Sequence, residues 1–461
     1  MLTRIEIDGF KSFEDFSLDL SSFAVILGPN ASGKSNLFDT IQFLSNLASK
    51  DLKEAVKGLR GEVDELFRRV GPSMTTNEMR LAVEVLVEPT IRDPWGAEVE
   101  LTHTRIRYEV KIEKRRDERG IERLVVAGEE VRPVLAKQDS WKHAQFSDSF
   151  RSKYLKYARR SPWLETKTEG AQVSFHIRQD GKAGRTRPAH IPEATVLSSI
   201  TTTEFPHLFA LREELRSWRF LQLNPFALRQ PTPMGPIFTA EMLLPDGSNL
   251  AAVLARIKAE TFDKEEPRGI LADISAELVQ LIPGVIDVDV EDDPHTRQYR
   301  VYVRMRDDFQ FPARVISDGT LRVLALLTLL YDPKHRGLVC FEEPENGVHP
   351  ARLRTLIHSL RERVTDVAAY SEPDEEPLAQ LLINSHSPVV LSALTGTELH
   401  HNEVFFADLV STVDPQKKAV RRKTRIRPVK LSQQYSLDGI EPAVVSDVEV
   451  EKYLDTVNKE S

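Results

Sequence analysis

Residues 2–8 alternate apolar and polar side chains around Leu2, Ile5 and Ile7, and residues 16–20 do so again, a period of two that predicts strands with one buried face. The run Phe23-Ala24-Val25-Ile26-Leu27 is apolar at every position and stops at Gly28, the pattern of a strand buried on both faces. Leu37, Ile41, Leu44 and Leu47 then recur at helical spacing, predicting a helix from Lys34 to about Ala48. Residues 78–88 and 99–113 alternate like antiparallel strands, and the Asp180-Gly181 turn separates strand candidates at 171–178 and 185–190. Between Ala144 and Pro236 the pattern gives helices at 148–160 and 206–219 and Pro-rich punctuation at 225–236. Residues 247–262 and 266–282 read as helices, and 285–305 as two strands around Asp293-Pro294. From 311 onward helix and strand alternate: Leu321 to Tyr331, Gly337 to Phe341, Arg352 to Val364, Leu381 to Asn384. That alternation is a parallel α/β core.

Composition narrows the class. The 461 residues are 41% apolar and 29% charged, as in a folded globular protein. A formal charge of -8 asks for no polyanionic partner overall, so any basic surface is local. One cysteine, Cys340, excludes an internal disulfide and a multi-cysteine zinc site, and on an apolar strand it reads as a small core residue. The start, MLTRIEIDGFKSFED, has no signal-peptide core, and the longest apolar stretches reach half a membrane span, so a cytoplasmic protein with no membrane contact is expected.

Gly28-Pro29-Asn30-Ala31-Ser32-Gly33-Lys34-Ser35 is a G-x-x-x-x-G-K-S phosphate loop with the required strand before it and helix after it. Its glycines let backbone N–H groups curl around phosphates, the helix start adds a positive dipole, Lys34 reaches the terminal phosphates, and the Ser35 hydroxyl is a Mg²⁺ ligand. Leu338-Val339-Cys340-Phe341 runs into Glu342-Glu343-Pro344-Glu345. Acidic residues at the tip of a buried strand suit an ATPase: Glu342 toward Mg²⁺ through water, Glu343 to polarise the attacking water. Leu381 to Asn384 is capped by Ser385-His386-Ser387-Pro388, which puts His386 at a strand tip where a γ-phosphate can be contacted. Ser317-Asp318-Gly319-Thr320 opens an apolar helix 26 residues before Glu343. By itself it is an N-cap; as a helix N-terminus it is also an anion site for a nucleotide held by another subunit.

Taken together these residues resemble the ABC-type ATPase heads of the SMC, RecF and OLD group, particularly the arm-less RecF-like, AAA-type ATPases. The resemblance is carried by Ile5 to Phe13 with the phosphate loop and Asn36, by ISDGTLR at 316–322, by FEEPENGVHP at 341–350, by NSHSP at 384–388 and by Asp246 to Leu254. It implies an α/β P-loop fold with a mixed or parallel core sheet, an antiparallel β subdomain, a mostly helical insertion and no long coiled coil. The implied layout is residues 1–143 as one half of the head, 144–236 as the insertion, and 237–461 as the other half with a C-terminal hairpin and helix. Lys34 lies 309 residues from Glu343, so the chain ends are expected to fold together. The implied roles are phosphate and Mg²⁺ binding by Lys34 and Ser35, catalysis by Glu343 and γ-phosphate sensing by His386. Ser317 and Gly319 would contact ATP in trans, making ATP the glue of a head-to-tail homodimer. Glu342 stands where the group usually has Asp, which could slow hydrolysis. No Q-loop can be placed, since Gln42 lies within the helix after the loop.

An ATP-gated dimer needs a client. Arg151 to Arg160 mixes Lys153, Lys156, Arg159 and Arg160 with tyrosines near Trp163, a composition that can neutralise phosphates and stack on bases or simply form a solvated helix. Lys417 to Lys430 carries eight Lys or Arg in an expected hairpin, and Lys114, Arg115, Arg116 and Arg119 read as a loop. The 75 residues after His386 hold no glycine-flanked Glu with paired Asp, so a nuclease in cis is not expected. Three functions follow: an ATP-dependent DNA-binding protein of repair or genome maintenance, the ATPase sensor of an anti-phage or toxin-type system acting on an effector in trans, or a nucleotide-dependent scaffold with little hydrolysis.

Overall fold

The computed structural model describes all residues except 72–73, 117–119, 144–145, 170–171, 180–181, 190–191, 236–241, 347, 372–376, 395–402, 415–418, 431–444, 447–449, 453–454 and 456–461. The chain divides into two compact units, one formed by Met1–Trp218, Val364–Leu382 and His400–Ser461, the other by Arg219–Arg363 and Ile383–Leu399. The two ends of the chain thus fold together in the first unit.

In that unit the alternating segments build an antiparallel sheet in the order Lys182–Ala189, Gln172–Gln179, Leu164–Glu169, Glu122–Pro133, Arg105–Arg116, Glu78–Leu86, Leu2–Asp8, Phe16–Asp19. Its inward positions, including Ile5, Leu81, Val83, Ile106, Tyr108, Val110 and Val126, are fully buried, as the period of two requires. Phe23–Leu27, buried at all five positions, runs parallel to Val404–Asp414 with Val25 opposite Val404. Val404–Asp414 pairs antiparallel with Ala419–Lys430, so the expected hairpin forms, its turn at 415–418 lying outside the described residues. On the other side of Phe23–Leu27, Leu381 N donates to Ser22 O (2.9 Å), and the Gln380 side chain bridges Leu2 and Ser21.

Residues 144–236 are not mostly helical. Helices occupy Asp148–Tyr154, Pro206–Ser217 and Pro225–Leu228, while Leu164–Glu169, Gln172–Gln179 and Lys182–Ala189 extend the antiparallel sheet. Only Val173, Phe175 and Ile177 alternate cleanly there, and the outermost strand is polar and exposed, so the strand signal is weak. The first helix stops at Tyr154 rather than near 160 because the following backbone bonds to another strand end: Thr104 N donates to Lys156 O (3.1 Å), Lys156 N to Thr104 Oγ1 (3.0 Å) and Ala158 N to Thr102 O (3.3 Å). Lys114, Arg115 and Arg116 are strand rather than loop, because each cation meets an acid: Asp64, Glu113 and Glu122 respectively. Arg119 and the Asp180-Gly181 turn lie outside the described residues.

The second unit pairs Arg219–Leu221 parallel to Gly337–Glu342, with Ile383–Ser385 on the other side of Gly337–Glu342. Around these lie helices Leu250–Glu260, Ile270–Leu281, Asp318–Leu330 and Pro350–Glu362, and a meander Val285–Asp293, Gln298–Met305 and Gln310–Pro312. Among the described residues the longest helix is the 14-residue Lys34–Leu47, so no coiled-coil arm is seen, and no helix is long and apolar enough to cross a membrane.

Two buried polar groups set testable stability terms. Arg105, 0% exposed, makes a bidentate contact with Asp139 (2.7 and 2.9 Å), donates to Thr3 Oγ1 (2.8 Å) and lies 5.1 Å from the Trp141 ring. Burial works to raise the Asp139 carboxyl, but the hydrogen bonds and charge of Arg105 outweigh it and hold it below the usual carboxylate range. Asp139→Ala strands a buried guanidinium and is expected to cost about 3–5 kcal/mol in urea unfolding, whereas Arg105→Met with Asp139→Leu costs far less; equal losses would show the pair contributes only packing. In the second unit His335 is buried, and neither ring nitrogen has a hydrogen-bond partner among the described residues. Burial, with Arg219 adding, drops its pKa to about 4 from an ordinary 6.5. The unfolded chain therefore binds the extra proton between those values, so His335 supports the fold above pH 6.5 and that support is lost as pH falls toward 4, by about 3 kcal/mol. His335→Leu should flatten the pH dependence of the unfolding midpoint over that window; an unchanged profile would assign acid sensitivity elsewhere.

Candidate nucleotide site

The phosphate loop sits in the first unit, where Leu27 ends a strand with no exposed side chain and Lys34 begins a helix. Two glycines are there for space. A Cβ on Gly28 would lie 2.3 Å from Ala407 O, and one on Gly33, at φ 97°, would lie 1.9 Å from Thr424 Oγ1. Ala31 adopts a left-handed φ of 62° without being glycine, a local strain of the kind found at ligand clamps. Lys34 is buried, and its ammonium donates to Gly28 O (2.7 Å) and Pro29 O (2.8 Å), bending back over the loop. Ser32 is 1% exposed, and its hydroxyl has no hydrogen-bond partner among the described residues. Ser32 N donates to Pro29 O (3.3 Å) and Asn36 N to Gly33 O (3.1 Å), and the helix start sets its positive dipole end toward the loop. An orphaned hydroxyl, a folded-back ammonium and a helix start together make a cradle suited to phosphate.

The loop is braced by residues the motif does not contain. Thr424 Oγ1 donates to Ser32 O (3.0 Å) and lies 2.6 Å from Ser12 Oγ, which accepts from Asn36 Nδ2 (2.8 Å), while Thr424 N donates to Ser12 O (2.9 Å). Lys11 closes the outer side through Asp39 (2.5 Å) and Arg60 O (2.7 Å). Thr424 is 392 positions from Ser32, so no local signal could have found it. Of the basic hairpin, Arg425 and Arg427 pair with Asp408, and Lys423 lies 3.9 Å from Glu14.

In the second unit, two strand tips place the acidic and histidine motifs together. Glu343 N donates to Asn384 O (2.9 Å), Asn384 Nδ2 to Glu342 Oε1 (3.2 Å), and Ser385 Oγ to Glu345 Oε1 (2.6 Å). His386 Nδ1 lies 3.3 Å from Glu343 Oε1 and 3.4 Å from Glu345 Oε1, and Asn346 Nδ2 donates to Glu343 Oε2 (2.6 Å). Glu343 has φ 53°, a left-handed conformation fixed by the Asn384 bond, which turns its carboxylate off the strand direction. Glu345 and Asn346 are second neighbours that sequence reasoning did not single out. Burial, with the charge of Glu342 adding, pushes the Cys340 thiol well up, so this cysteine is inert core. Among the described residues no group of three His, Cys, Asp or Glu side chains could cage a metal.

Ser317 is the N-cap of helix Asp318–Leu330: its Oγ accepts from Thr320 N (3.2 Å) and lies 2.7 Å from Thr320 Oγ1. Ser317 is exposed and Gly319 is buried, and Arg229 pairs with Asp318 and donates to Ile316 O (3.0 Å). In and beside the segment 151–160, two of the aromatic rings belong to the core. Tyr154 and Trp163 are buried, Lys156 pairs with Glu100 (2.6 Å), Lys153 donates to the Tyr370 hydroxyl (2.5 Å), and the Arg159 guanidinium lies over the Trp163 ring.

Comparison with known proteins agrees with this geometry. Residues 1–116 match a family described as an AAA ATPase domain, and residues 204–392 match an AAA-domain family whose description names the AbiEii toxin of type IV toxin–antitoxin systems. A stretch of 54 residues, 11% of the chain, is 48% identical to the chromosome partition protein Smc of Methanocaldococcus jannaschii, and takes in only 5% of that protein. An Smc head solved with the C-terminal winged-helix domain of ScpA aligns over 92% of this chain and 97% of its own, with TM-score 0.50 and 12% identity. The Smc head of Pyrococcus yayanosii aligns over 99% of both chains with TM-score 0.46 and 10% identity. Two AAA-type ATPase family models thus match separate stretches of this chain, and its fold is similar to that of an Smc head.

Proposed function

We propose that the chain binds MgATP through Gly28–Asn36, hydrolyses it through Glu343, and uses bound ATP to join two copies head to tail. The observation that carries this reading is the loop itself, a buried strand and a helix start held around an orphaned Ser32 hydroxyl and a folded-back Lys34. On binding, the Lys34 ammonium would exchange two neutral carbonyl acceptors for charged phosphate oxygens, a stronger pairing. Ser35 and Glu342 would hold Mg²⁺, which when bound neutralises charge on the phosphates. Glu343 would take a proton from the attacking water, with Asn346 orienting its carboxylate and His386 beside it as the group that would sense the γ-phosphate. The exposed Ser317 cap would offer its helix start to a nucleotide on the other copy.

The client is a partner in trans. The match of residues 204–392 to an AAA family named with a toxin supports an effector-linked ATPase, and the Smc head neighbour is itself bound to a partner protein. Nucleic acid is the other client class, as in repair or genome maintenance, with the cations of 151–160 and of the hairpin Ala419–Lys430 as its candidate contacts.

Glu343→Gln should keep ATP affinity, lower turnover by about 10²–10⁴-fold, and accumulate an ATP-dependent dimer in light scattering. A monomer at saturating ATP would sink the head-to-tail model. Lys34→Ala should abolish binding of a fluorescent ATP analogue. Thr424→Val removes the bridge from Ser12 to Ser32 O, and is expected to weaken ATP binding by about tenfold, the size of one hydrogen bond, without changing the unfolding midpoint beyond the same margin. Unaltered affinity would make Thr424 a bystander.

A further inference from the structure

We propose that the carboxyl of Glu129 is a pH-sensitive latch on the far end of the helix that begins at Lys34, holding residues 195–199 against that helix while neutral and releasing them as it ionises. Glu129 lies on the strand Glu122–Pro133 and is 2% exposed. Its oxygens accept from Val196 N (2.5 Å), Leu197 N (3.0 Å) and the Tyr108 hydroxyl (3.3 Å), and among the described residues it has no ion pair. A buried carboxyl is ordinarily matched by a cation, because its charge alone is expensive to desolvate. Here the matching groups are N–H groups at the start of a single turn, Leu197–Ser199. That turn is fastened to the phosphate-loop helix. Thr195 Oγ1 donates to Leu47 O (2.9 Å), one of the last carbonyls, which have no partner inside the helix, and accepts from Ser198 N (3.1 Å). Glu193 O accepts from Leu52 N (2.8 Å) at the start of the next helix. Lys34–Leu47 has 14 residues, about 21 Å, so whatever holds Leu47 anchors the helix whose other end is the loop.

The backbone aims the carboxyl. A register shift between Val126 and Gly128 turns the strand just before Glu129, whose N–H donates to Thr166 Oγ1 (2.7 Å) while the same hydroxyl donates to its carbonyl (2.8 Å). Two titratable or charged groups bear on it: Tyr108 from Arg105–Arg116, and Arg187 from Lys182–Ala189, whose guanidinium donates to Ser199 Oγ (3.0 Å). Acids on the other packed elements are engaged elsewhere, Glu165 with Arg178 and Glu193 with Arg123. Burial outweighs the hydrogen bonds from Leu197, Val196 and Tyr108 and lifts Glu129 from an ordinary 4.5 to about 7. When the turn opens, water reaches the carboxyl and its value returns toward 4.5. The closed turn is therefore fully favoured below pH 4.5, and each pH unit up to about 7 makes opening tenfold easier, after which the effect levels off. Between pH 5.5 and 7.5 opening rises about 20-fold.

The latch does not rest on ATP binding; only its consequence, a helix end that loosens as pH rises, bears on the proposed nucleotide site. The test is amide hydrogen exchange of the full chain without nucleotide, corrected for the intrinsic rate and followed in peptides covering 193–200 and 44–48 from about pH 5.5 to 7.5. Opening of both segments should rise about 20-fold in the wild-type chain and stay level in Glu129→Gln, which cannot ionise. Thr195→Val should keep the rise at 193–200 and abolish it at 44–48, because the bond to Leu47 is gone. Tyr108→Phe removes a hydrogen bond that favours the charged form, so the rise should extend past pH 7, a check that serves where Glu129→Gln does not fold. A level wild-type profile at 193–200, or an equal rise in Glu129→Gln, overturns the latch. A wild-type rise confined to 193–200 overturns its hold on the helix. Wild-type protein that shows the rise in both segments but binds no fluorescent ATP analogue leaves the latch standing and removes only the ATP reading.

Discussion

Everything attributed to nucleotide depends on one five-residue strand with no face left for water. Phe23–Leu27 can be satisfied only between strands, and its parallel neighbour, Val404–Asp414, comes from the far end of the chain. That pairing brings Ala407 O and Thr424 against the loop, where they leave room for glycine only at 28 and 33. Burial of an apolar strand, a nonlocal contact, thus dictates the shape of a polar loop.

In the second unit the same logic runs through a different pair of strands. Gly337–Glu342 and Ile383–Ser385 turn polar together at their ends, and the polar tips bond to each other. Glu343 is held in a left-handed conformation by the carbonyl of Asn384, and His386 falls beside its carboxylate. Strain stored at one backbone position and relieved nowhere locally is a feature of sites that must present a group rigidly.

Much of this was legible from the sequence because it is written in short-range patterns. The Phe23–Leu27 run, the spacing of Leu37, Ile41 and Leu44, the acidic tip at Glu342-Glu343 and the Ser385-His386 turn each sit within one element, and the structure puts Glu343 and His386 side by side. What escaped was nonlocal or weakly patterned. Thr424 and Ser12 brace the loop across the whole chain. The strands 164–189 carry few apolar residues, so a region expected to be mostly helical extends a sheet instead. Tyr154 and Trp163 looked like stacking groups beside cations, but aromatic residues are first of all hydrophobic, and the core took them.

The central claim is that the loop Gly28–Asn36 is the seat of MgATP. Amide hydrogen exchange with and without MgATP tests it directly, because phosphate would engage backbone N–H groups of the loop. The account predicts strong protection confined first to residues 28–36, lost in Lys34→Ala; ATP binding that leaves exchange at these amides unchanged would contradict it.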